Sequence, residues 1–245
     1  MKYLITIVSG YWEIEKSKHG KQKYNKFLKT SLMINAPYII FTNNIKNIEK
    51  YRKELETYYI KKDISDFFTN IFKFDEKYIH PIHVPSVKLG KIWLEKVNLV
   101  REAIKINPYD TEWFAWIDAG IPQFRNKTPP SQKWPNQNKL NILDKNKLNY
   151  TLSEPYSDNK EHLIKESHYI HLVAGTAWII HKDMIDILFK IFYKCTKIFI
   201  DEVKDLPNQF MCLSDQCVWT RIMVDHPELF NRVGAGYGEI VNILY

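Results

Sequence analysis

Short apolar runs typical of β-strands alternate along this chain with stretches whose apolar residues recur at helical spacing. Tyr3–Val8 and Pro37–Thr42 are the first two β-like runs, and a predicted helix over Lys21–Leu32 separates them. Another helix is predicted over Ile48–Tyr59. A β-α-β-α opening of this kind favours parallel strands with right-handed crossovers. The pattern therefore predicts an α/β fold with a mostly parallel central sheet flanked by helices.

The composition limits the class of protein. The chain has 245 residues, 45% hydrophobic and 26% charged, which is enough for one substantial core. No apolar run approaches the roughly 20 residues of a membrane span, and the first residues lack the cleavage site of a signal peptide. Cys195, Cys212 and Cys217 form no Cys-x-x-Cys pair, so we expect a reducing compartment without a disulfide framework or a zinc ribbon.

The formal charge of +7 raises the question of nucleic-acid binding. Only five of the 35 basic residues are arginines, however, and they are scattered along the chain. Proteins that recognise bases and phosphates usually rely on arginine. Lys, Asn and Ile are abundant, as in the products of AT-rich genomes, so the excess charge does not indicate specific binding to nucleic acid.

A single carboxylate follows the run Glu112–Ile117, which predicts a strand buried on both faces. Asp118 stands there on a turn with Ala119 and Gly120, where neither bulky neighbours nor a helix block a ligand. A carboxylate in such a place suits a divalent cation. The cation would bridge the two phosphates of a nucleotide and neutralise the charge of the leaving diphosphate. The alternative is that Asp118 only caps a turn.

A helix is predicted over Gly90–Ile106, because its apolar residues form one stripe and Asn107-Pro108 ends it. The stripe consists of Trp93, Val97, Val100 and Ile104. Lys96 and Arg101 lie off the stripe. Lys96 is a candidate for binding a diphosphate if the helix brings it to the end of the sheet, and is otherwise an ordinary solvated charge.

The β-like run His168–Ile180 is interrupted by the small residues Ala174-Gly175-Thr176. Small residues within a strand either form a bulge or let a ligand approach the backbone. Before this run, Asn126–Asn149 contains three prolines and predicts a long ordered loop of the kind that often covers a site. After it, a well-buried helix is predicted over Met184–Cys195. The histidines of this half lack the spacing of a zinc site, although one of them could add a ligand to a cation held by carboxylate and phosphate.

The last predicted helix, Cys217–Val224, is preceded by Ser214-Asp215-Gln216. Asp215 there has two interpretations. It caps the helix, or it accepts a proton from an attacking hydroxyl while Gln216 hydrogen-bonds a polar substrate. The glycines around Tyr237 follow no β-α-β opening, so they do not indicate a dinucleotide site.

Several short motifs, spread in order over most of the chain, carry a resemblance to a known family. They are His83–Ser86, Ile92–Lys96, Asn107-Pro108, Trp113–Gly120, Ala174–Thr176, Ser214–Gln216 and Leu229-Phe230. In this order they resemble the HtrL/YibB (WlaTC-like) family, whose members are regarded as glycosyltransferases. The most specific of these motifs is Trp-Ile-Asp-Ala-Gly, from Trp116 to Gly120.

The resemblance implies a single GT-A-like domain over residues 1–245. Residues 1–120 would bind a nucleotide sugar, and residues 121–245 the acceptor. In similar folds an Asp-x-Asp motif holds Mn²⁺ or Mg²⁺ on the diphosphate, whereas this chain has only Asp118, with Gly120 two residues on. If Asp118 matches the second carboxylate of the motif it is the metal ligand, and if it matches the first it contacts the ribose.

The resemblance also implies roles for the other candidates. Asp215 would be the catalytic base, with Gln216 beside it on the substrate. Gly175 and Thr176 would lie beside the donor sugar or the acceptor. Lys96, Ala119 and Gly120 would adjoin the diphosphate with Asp118. The ends of the first two strands would surround the base and ribose, with Tyr11 stacking on the base; these residues are Ser9, Gly10, Tyr11, Thr42 and Asn43.

These inferences predict a glycosyltransferase that moves a sugar from a nucleotide-diphosphate donor to a hydroxyl of a glycan, lipid or protein acceptor. One alternative is a binding protein for nucleotide sugars or carbohydrates that has lost the second carboxylate. Another is a metal-dependent phosphodiesterase or nuclease. Two-metal hydrolysis requires several carboxylates close together, whereas this chain offers two candidates that are far apart in the sequence. We expect a cytoplasmic protein, located in the host cytoplasm or the virion if its source is a virus.

Overall fold

A computed structural model of the chain describes residues 2–74, 76, 79, 83–153, 171–203 and 214–245. Seven strands in this part of the chain form one sheet. They are β1 (Ile5–Tyr11), β2 (Tyr38–Thr42), β3 (Thr57–Lys61), β4 (Trp113–Ile117), β5 (Leu148–Leu152), β6 (Val173–His181) and β7 (Phe230–Ala235). Their order across the sheet is β3-β2-β1-β4-β6-β5-β7. Only β6 pairs antiparallel with its neighbours, so the sheet is mostly parallel, as predicted.

Helices connect and cover these strands. The α-helices of the described residues are α1 (Gly20–Ser31), α2 (Ile45–Glu49), α3 (Val87–Ile106), α4 (Ile185–Val203), α5 (Asp215–Asp225) and α6 (Glu239–Ile243). Short 3₁₀ turns occupy Ile64–Asp66, Phe68–Ile71, Pro122–Phe124, Gln137–Ile142, Lys182–Met184 and Pro227–Leu229.

Both faces of the sheet are buried, because alternate residues of the central strands enter two separate cores. In β4, Phe114 and Trp116 pack on the side covered by α3, α4 and α5. Ala115 and Ile117 pack on the opposite side, with residues of α1 and α6. Side chains alternate between the faces of a strand, so a strand covered by helices on both faces must be apolar throughout.

Helix α3 crosses the first of these faces, and its ends follow from its sequence. The Ser86 hydroxyl accepts a hydrogen bond from Leu89 N at 3.2 Å, which caps the first turn. Asn107 adopts a left-handed backbone conformation and ends the helix before Pro108. The predicted stripe does face the core: Val97 and Val100 are fully buried there.

The predicted helix over Ile48–Tyr59 is wrong. The helix stops at Glu49, and Thr57–Lys61 pairs with β2 as an edge strand. Between them the Arg52 guanidinium is buried, stacks 3.7 Å from the Tyr38 ring centre and donates hydrogen bonds to backbone carbonyls, among them Ala36 O at 2.9 Å. This tertiary anchor fixes the chain in a turn that helical spacing alone does not reveal.

The segment Asn126–Asn149 is only partly the loop that was expected. It contains a 3₁₀ turn and the start of β5. Trp134 fixes it to the far side of the sheet, since its indole N–H donates to Val241 O at 3.0 Å within the second core. None of its residues lines the cleft described below, so it does not cover that site.

Candidate functional site

A cleft opens at the carboxyl ends of β1 and β4, where the connections leave the sheet in opposite directions. In the sheet, β2 lies on one side of β1 and β4 lies on its other side. Open α/β sheets bind ligands at such a switch point. The cleft holds about 910 Å³ of unfilled space, part of it open to solvent, and receives Gly10 and Tyr11 from β1 and Asp118, Ala119 and Gly120 from the turn after β4.

Lys96 lies at the floor of this cleft, with its side chain 4% exposed. Its Nζ donates to Gly175 O at 2.9 Å and lies 3.1 Å from both Asp118 Oδ1 and Asp215 Oδ2. Burial lowers the pKa of Lys96, but the attraction of the two carboxylates outweighs burial, so its pKa is raised overall. The lysine is therefore a charged ammonium held between two carboxylates from distant parts of the chain.

Lys96, Asp118 and Asp215 form a charged triad, in which Asp118 is the more exposed carboxylate. Its Oδ1 accepts a hydrogen bond from Trp116 Nε1 at 2.7 Å, and its side chain is 29% exposed. Its backbone N–H donates to Thr176 O at 2.9 Å, which aligns the start of β6 with the end of β4. One face of the carboxylate thus binds the protein and the other faces the cleft.

Asp215 forms the buried side of the triad and is 2% exposed. It is the first residue of α5, but the hydroxyl of Ser214 caps the helix by accepting from Gln216 N at 3.3 Å. Burial raises the pKa of Asp215 to about 6, although Lys96 opposes the shift. Its Oδ2 lies 3.1 Å from the Lys96 ammonium, whereas the buried Thr176 Oγ1 in the same cleft has no hydrogen-bond partner among the described residues. Buried polar atoms without partners in a cleft are suited to a ligand.

Gly175 permits this arrangement, because a Cβ at that position would lie 2.7 Å from Asp215 Oδ2 and 2.7 Å from Gln216 Cγ. The sequence alternatives were a bulge or the approach of a ligand to the backbone, and the pairing of β6 with β5 does shift register across this segment, since Tyr150 pairs with Trp178 but Leu152 with Val173. What approaches the backbone here is the start of α5. The absence of a side chain lets Gln216 donate from Nε2 to Val173 O at 3.2 Å and to the Tyr237 hydroxyl at 2.8 Å.

Three of the predicted nucleotide-binding residues lie outside the cleft lining. Ser9 is buried and its hydroxyl donates to Ile117 O at 2.7 Å, which ties β1 to β4. Thr42 is buried and its Oγ1 accepts from Asn44 N at 3.1 Å. Asn43 is exposed and lines a second depression, which adjoins the cleft at Ile14. The other residues proposed from the sequence all border the cleft: Gly10, Tyr11, Lys96, Asp118, Ala119, Gly120, Gly175, Thr176, Asp215 and Gln216.

Several polar residues that the sequence patterns did not indicate also border the cleft, among them Arg125 and Tyr237. Arg125 donates from Nε to Gly120 O at 2.8 Å and stacks 4.8 Å from the Phe27 ring centre. Tyr237 follows β7 and binds Gln216. Both residues stand in irregular segments, where no periodic pattern points to a site. Aromatic side chains also border the cleft, including Tyr11 and Tyr24, whose ring centres are 5.8 Å apart.

The described donors do not fit the divalent cation expected at Asp118. Mg²⁺ requires near-octahedral oxygen coordination, yet one oxygen of Asp118 already binds Trp116 and Lys96. Among the described residues no group of three or more His, Cys, Asp or Glu could hold a metal ion. A cation between the two carboxylates would also lie beside the ammonium, at a cost of about 4 kcal/mol per unit charge at 4 Å and an effective dielectric of 20.

The described helices include none that is both long and apolar enough to cross a membrane.

No family model matches the chain, and no curated protein matches it. Among solved structures it is similar to mouse xyloside xylosyltransferase 1 in its apo form, with 14% identity over 94% of this chain and 84% of that chain and a TM-score of 0.53. It is also similar to 4-diphosphocytidyl-2C-methyl-D-erythritol synthase from Anaerococcus prevotii, with 12% identity over 96% and 88% and a TM-score of 0.41, too weak for any argument.

At this identity the first similarity shows the fold alone. The chain has the GT-A-like fold that the resemblance implied, with a mostly parallel seven-stranded sheet in its described part. The resemblance to the HtrL/YibB family stays a prediction, because no family model supports it.

Proposed function

We propose that this chain is a glycosyltransferase that moves a sugar from a nucleoside-diphosphate donor to a hydroxyl of a glycan, lipid or protein acceptor. The observation that carries the proposal is the position of the cleft: it lies at the switch point of the sheet, and two carboxylates and Thr176 Oγ1, unpartnered in the described part of the chain, border it. The similarity in fold to a xylosyltransferase supports it.

In this proposal the donor lies along the ends of β1 and β4. Tyr11 stacks on the base, and the second depression that includes Asn43 extends the site on the ribose and base side. Ser9 and Thr42 act indirectly, by fixing the strand ends that form the wall. The diphosphate lies against the turn from Asp118 to Gly120.

The acceptor hydroxyl lies beside Asp215 in the proposed mechanism. A base with a pKa of about 6 is mostly ionised at neutral pH and can still accept a proton. Lys96 favours the ionised form of Asp215, while Gln216 and Thr176 orient hydroxyl groups of the sugar or acceptor. The proton leaves the hydroxyl for Asp215 as its oxygen attacks the sugar carbon and the nucleoside diphosphate departs.

The domain division expected from the sequence enters this proposal unchanged. Residues 1–120 bind the donor and residues 121–245 contribute the acceptor side, with Tyr237 as a further cleft residue and with Arg125, just past the boundary, on the diphosphate turn. Asp118, Ala119 and Gly120 stand at the boundary between the two halves.

The proposal is tested by thermal unfolding of the whole chain with a panel of nucleoside diphosphates, each with EDTA and with Mn²⁺ or Mg²⁺. We expect at least one nucleotide to raise the melting temperature, since a ligand that binds only the folded state stabilises it. The sugar conjugates of that nucleotide are then assayed for release of the nucleoside diphosphate and for transfer. A panel without any shift under either condition contradicts the proposal.

A further inference from the structure

The cleft already contains its own buried cation. The Nζ of Lys96 lies 3.1 Å from one oxygen of Asp118 and 3.1 Å from one oxygen of Asp215, the space in which a divalent ion would bridge the two carboxylates. Gly175 O accepts its hydrogen bond at 2.9 Å. With three acceptors around it, the ammonium is fixed in the floor of the cleft. Its positive charge offsets one of the two negative charges that would repel an incoming anion.

A second cation, Arg125, faces the cleft with unused donors. Its Nε donates to Gly120 O at 2.8 Å, and its Cζ lies over the Phe27 ring, 4.8 Å from the ring centre. Its terminal nitrogens donate to no described residue. A planar guanidinium with free terminal N–H groups matches the oxygens of a phosphate group in a bidentate way. Because its anchor is Gly120, Arg125 stands on the turn that directly follows Asp118.

Resting on the proposed function, we infer that the cleft binds the diphosphate of its nucleotide without a divalent cation. Arg125 supplies the charge and hydrogen bonds to the phosphate oxygens, and Lys96 occupies the space between the carboxylates. The single carboxylate of this turn and the arginine anchored on it then have one explanation. A site that binds the diphosphate directly needs donors at this turn, not a further negative charge.

The first test is calorimetric titration of the whole chain with the nucleoside diphosphate that gives the largest thermal shift, in EDTA and in Mg²⁺ or Mn²⁺. We expect dissociation constants that agree within about threefold. Binding that needs the metal overturns the inference but leaves the proposed function standing. If no nucleoside diphosphate binds under either condition, the proposed function itself fails.

Variants then identify the cation that holds the diphosphate. Arg125→Gln should weaken nucleotide binding about tenfold or more in EDTA, as expected for the loss of charge-assisted hydrogen bonds. Lys127→Gln, an exposed charge two residues away, is the matched control and should bind like the wild type. Arg125→Lys keeps the charge and is the second variant to be tested in case Arg125→Gln does not fold. If folded Arg125→Gln and Arg125→Lys both bind like the wild type, the inference is wrong.

Asp118→Asn distinguishes metal-dependent from metal-independent binding, because the two predict different changes in nucleotide affinity. If Asp118 held a divalent ion, the substitution would weaken binding. Without such an ion it removes a negative charge beside the diphosphate, so affinity should stay the same or rise. A metal-dependent loss of affinity in Asp118→Asn would overturn the inference.

Discussion

The ammonium of Lys96 lies 3.1 Å from the carboxylate of Asp215, and both side chains are almost completely buried. One residue belongs to α3 and the other begins α5, so the pair joins two helices that pack against each other at the end of the sheet. Breaking a buried ion pair on one side leaves an uncompensated charge. The candidate site and the stability of the fold are therefore coupled through this contact.

Lys96→Met should lower the free energy of unfolding by about 3–5 kcal/mol, because two carboxylates lose their shared partner. Lys62→Met is the matched control. Lys62 pairs with Glu102 at 2.6 Å in a more exposed place, and its loss should cost about 1 kcal/mol or less. Urea unfolding at neutral pH measures both values.

The double variant Lys96→Met with Asp215→Asn tests whether the loss arises from the pair. Once Asp215 is neutral, the removal of Lys96 should destabilise the protein less than it does in the wild type. Additive losses of unfolding free energy in the two single variants would show that the residues do not interact.

Gly175→Ala should displace Asp215 and Gln216, because the new Cβ would meet both side chains at 2.7 Å. We expect a loss of about 1–3 kcal/mol in unfolding free energy, as for other overpacked sites, with reduced transfer per folded molecule. Gly120→Ala borders the same cleft, but its Cβ would lie 3.4 Å from Tyr24, an ordinary contact. Equal unfolding free energies for the two variants would contradict the close approach at Gly175.

Local patterns predicted the central elements of the fold. Trp113–Ile117 is apolar throughout because both faces are covered, and α3 shows its stripe because one face meets the core. The strands β3, β5 and β7 were missed, because they are identified by pairing with distant strands and carry polar residues such as Asn149 and Arg232. The helix predicted over Ile48–Tyr59 was wrong for the same reason, because its second half is strand β3.

The site was predictable residue by residue but not as an arrangement. Asp118 follows a buried strand and Asp215 precedes an apolar helix, so each was visible from its immediate neighbours. Their meeting at Lys96 depends on how α3 crosses the sheet, which spacing along the chain does not encode. Arg125 was missed because its position follows from a turn and from one hydrogen bond to Gly120.

The stability of the protein should depend on pH through Asp215. Burial raises its pKa from 3.8 to about 6, so the fold favours the protonated form. This contribution is complete below the unfolded pKa and is lost as pH rises through about 6, in total about 3 kcal/mol. Asp215→Asn does not titrate, so its stability relative to the wild type should increase between about pH 4 and pH 7.

Urea unfolding of both proteins at several pH values measures this difference. Asp225→Asn, at the exposed end of the same helix, is the control for replacing a carboxylate by an amide. A constant difference between Asp215→Asn and the wild type would mean that the pKa of Asp215 is not raised in the folded protein.

Transfer should depend on the ionised form of Asp215, so the rate should rise with pH through about 6 and then level off. Asp215→Asn should bind the nucleoside diphosphate normally, keep the Ser214 cap, and lose transfer by roughly 10²-fold or more, the usual scale for a general base. The rise near pH 6 should disappear with it. The measurement is initial transfer rate against pH, divided by the folded fraction at each pH. If Asp215→Asn unfolds more easily but keeps its rate per folded molecule and its pH profile, Asp215 only stabilises the fold and another group accepts the proton.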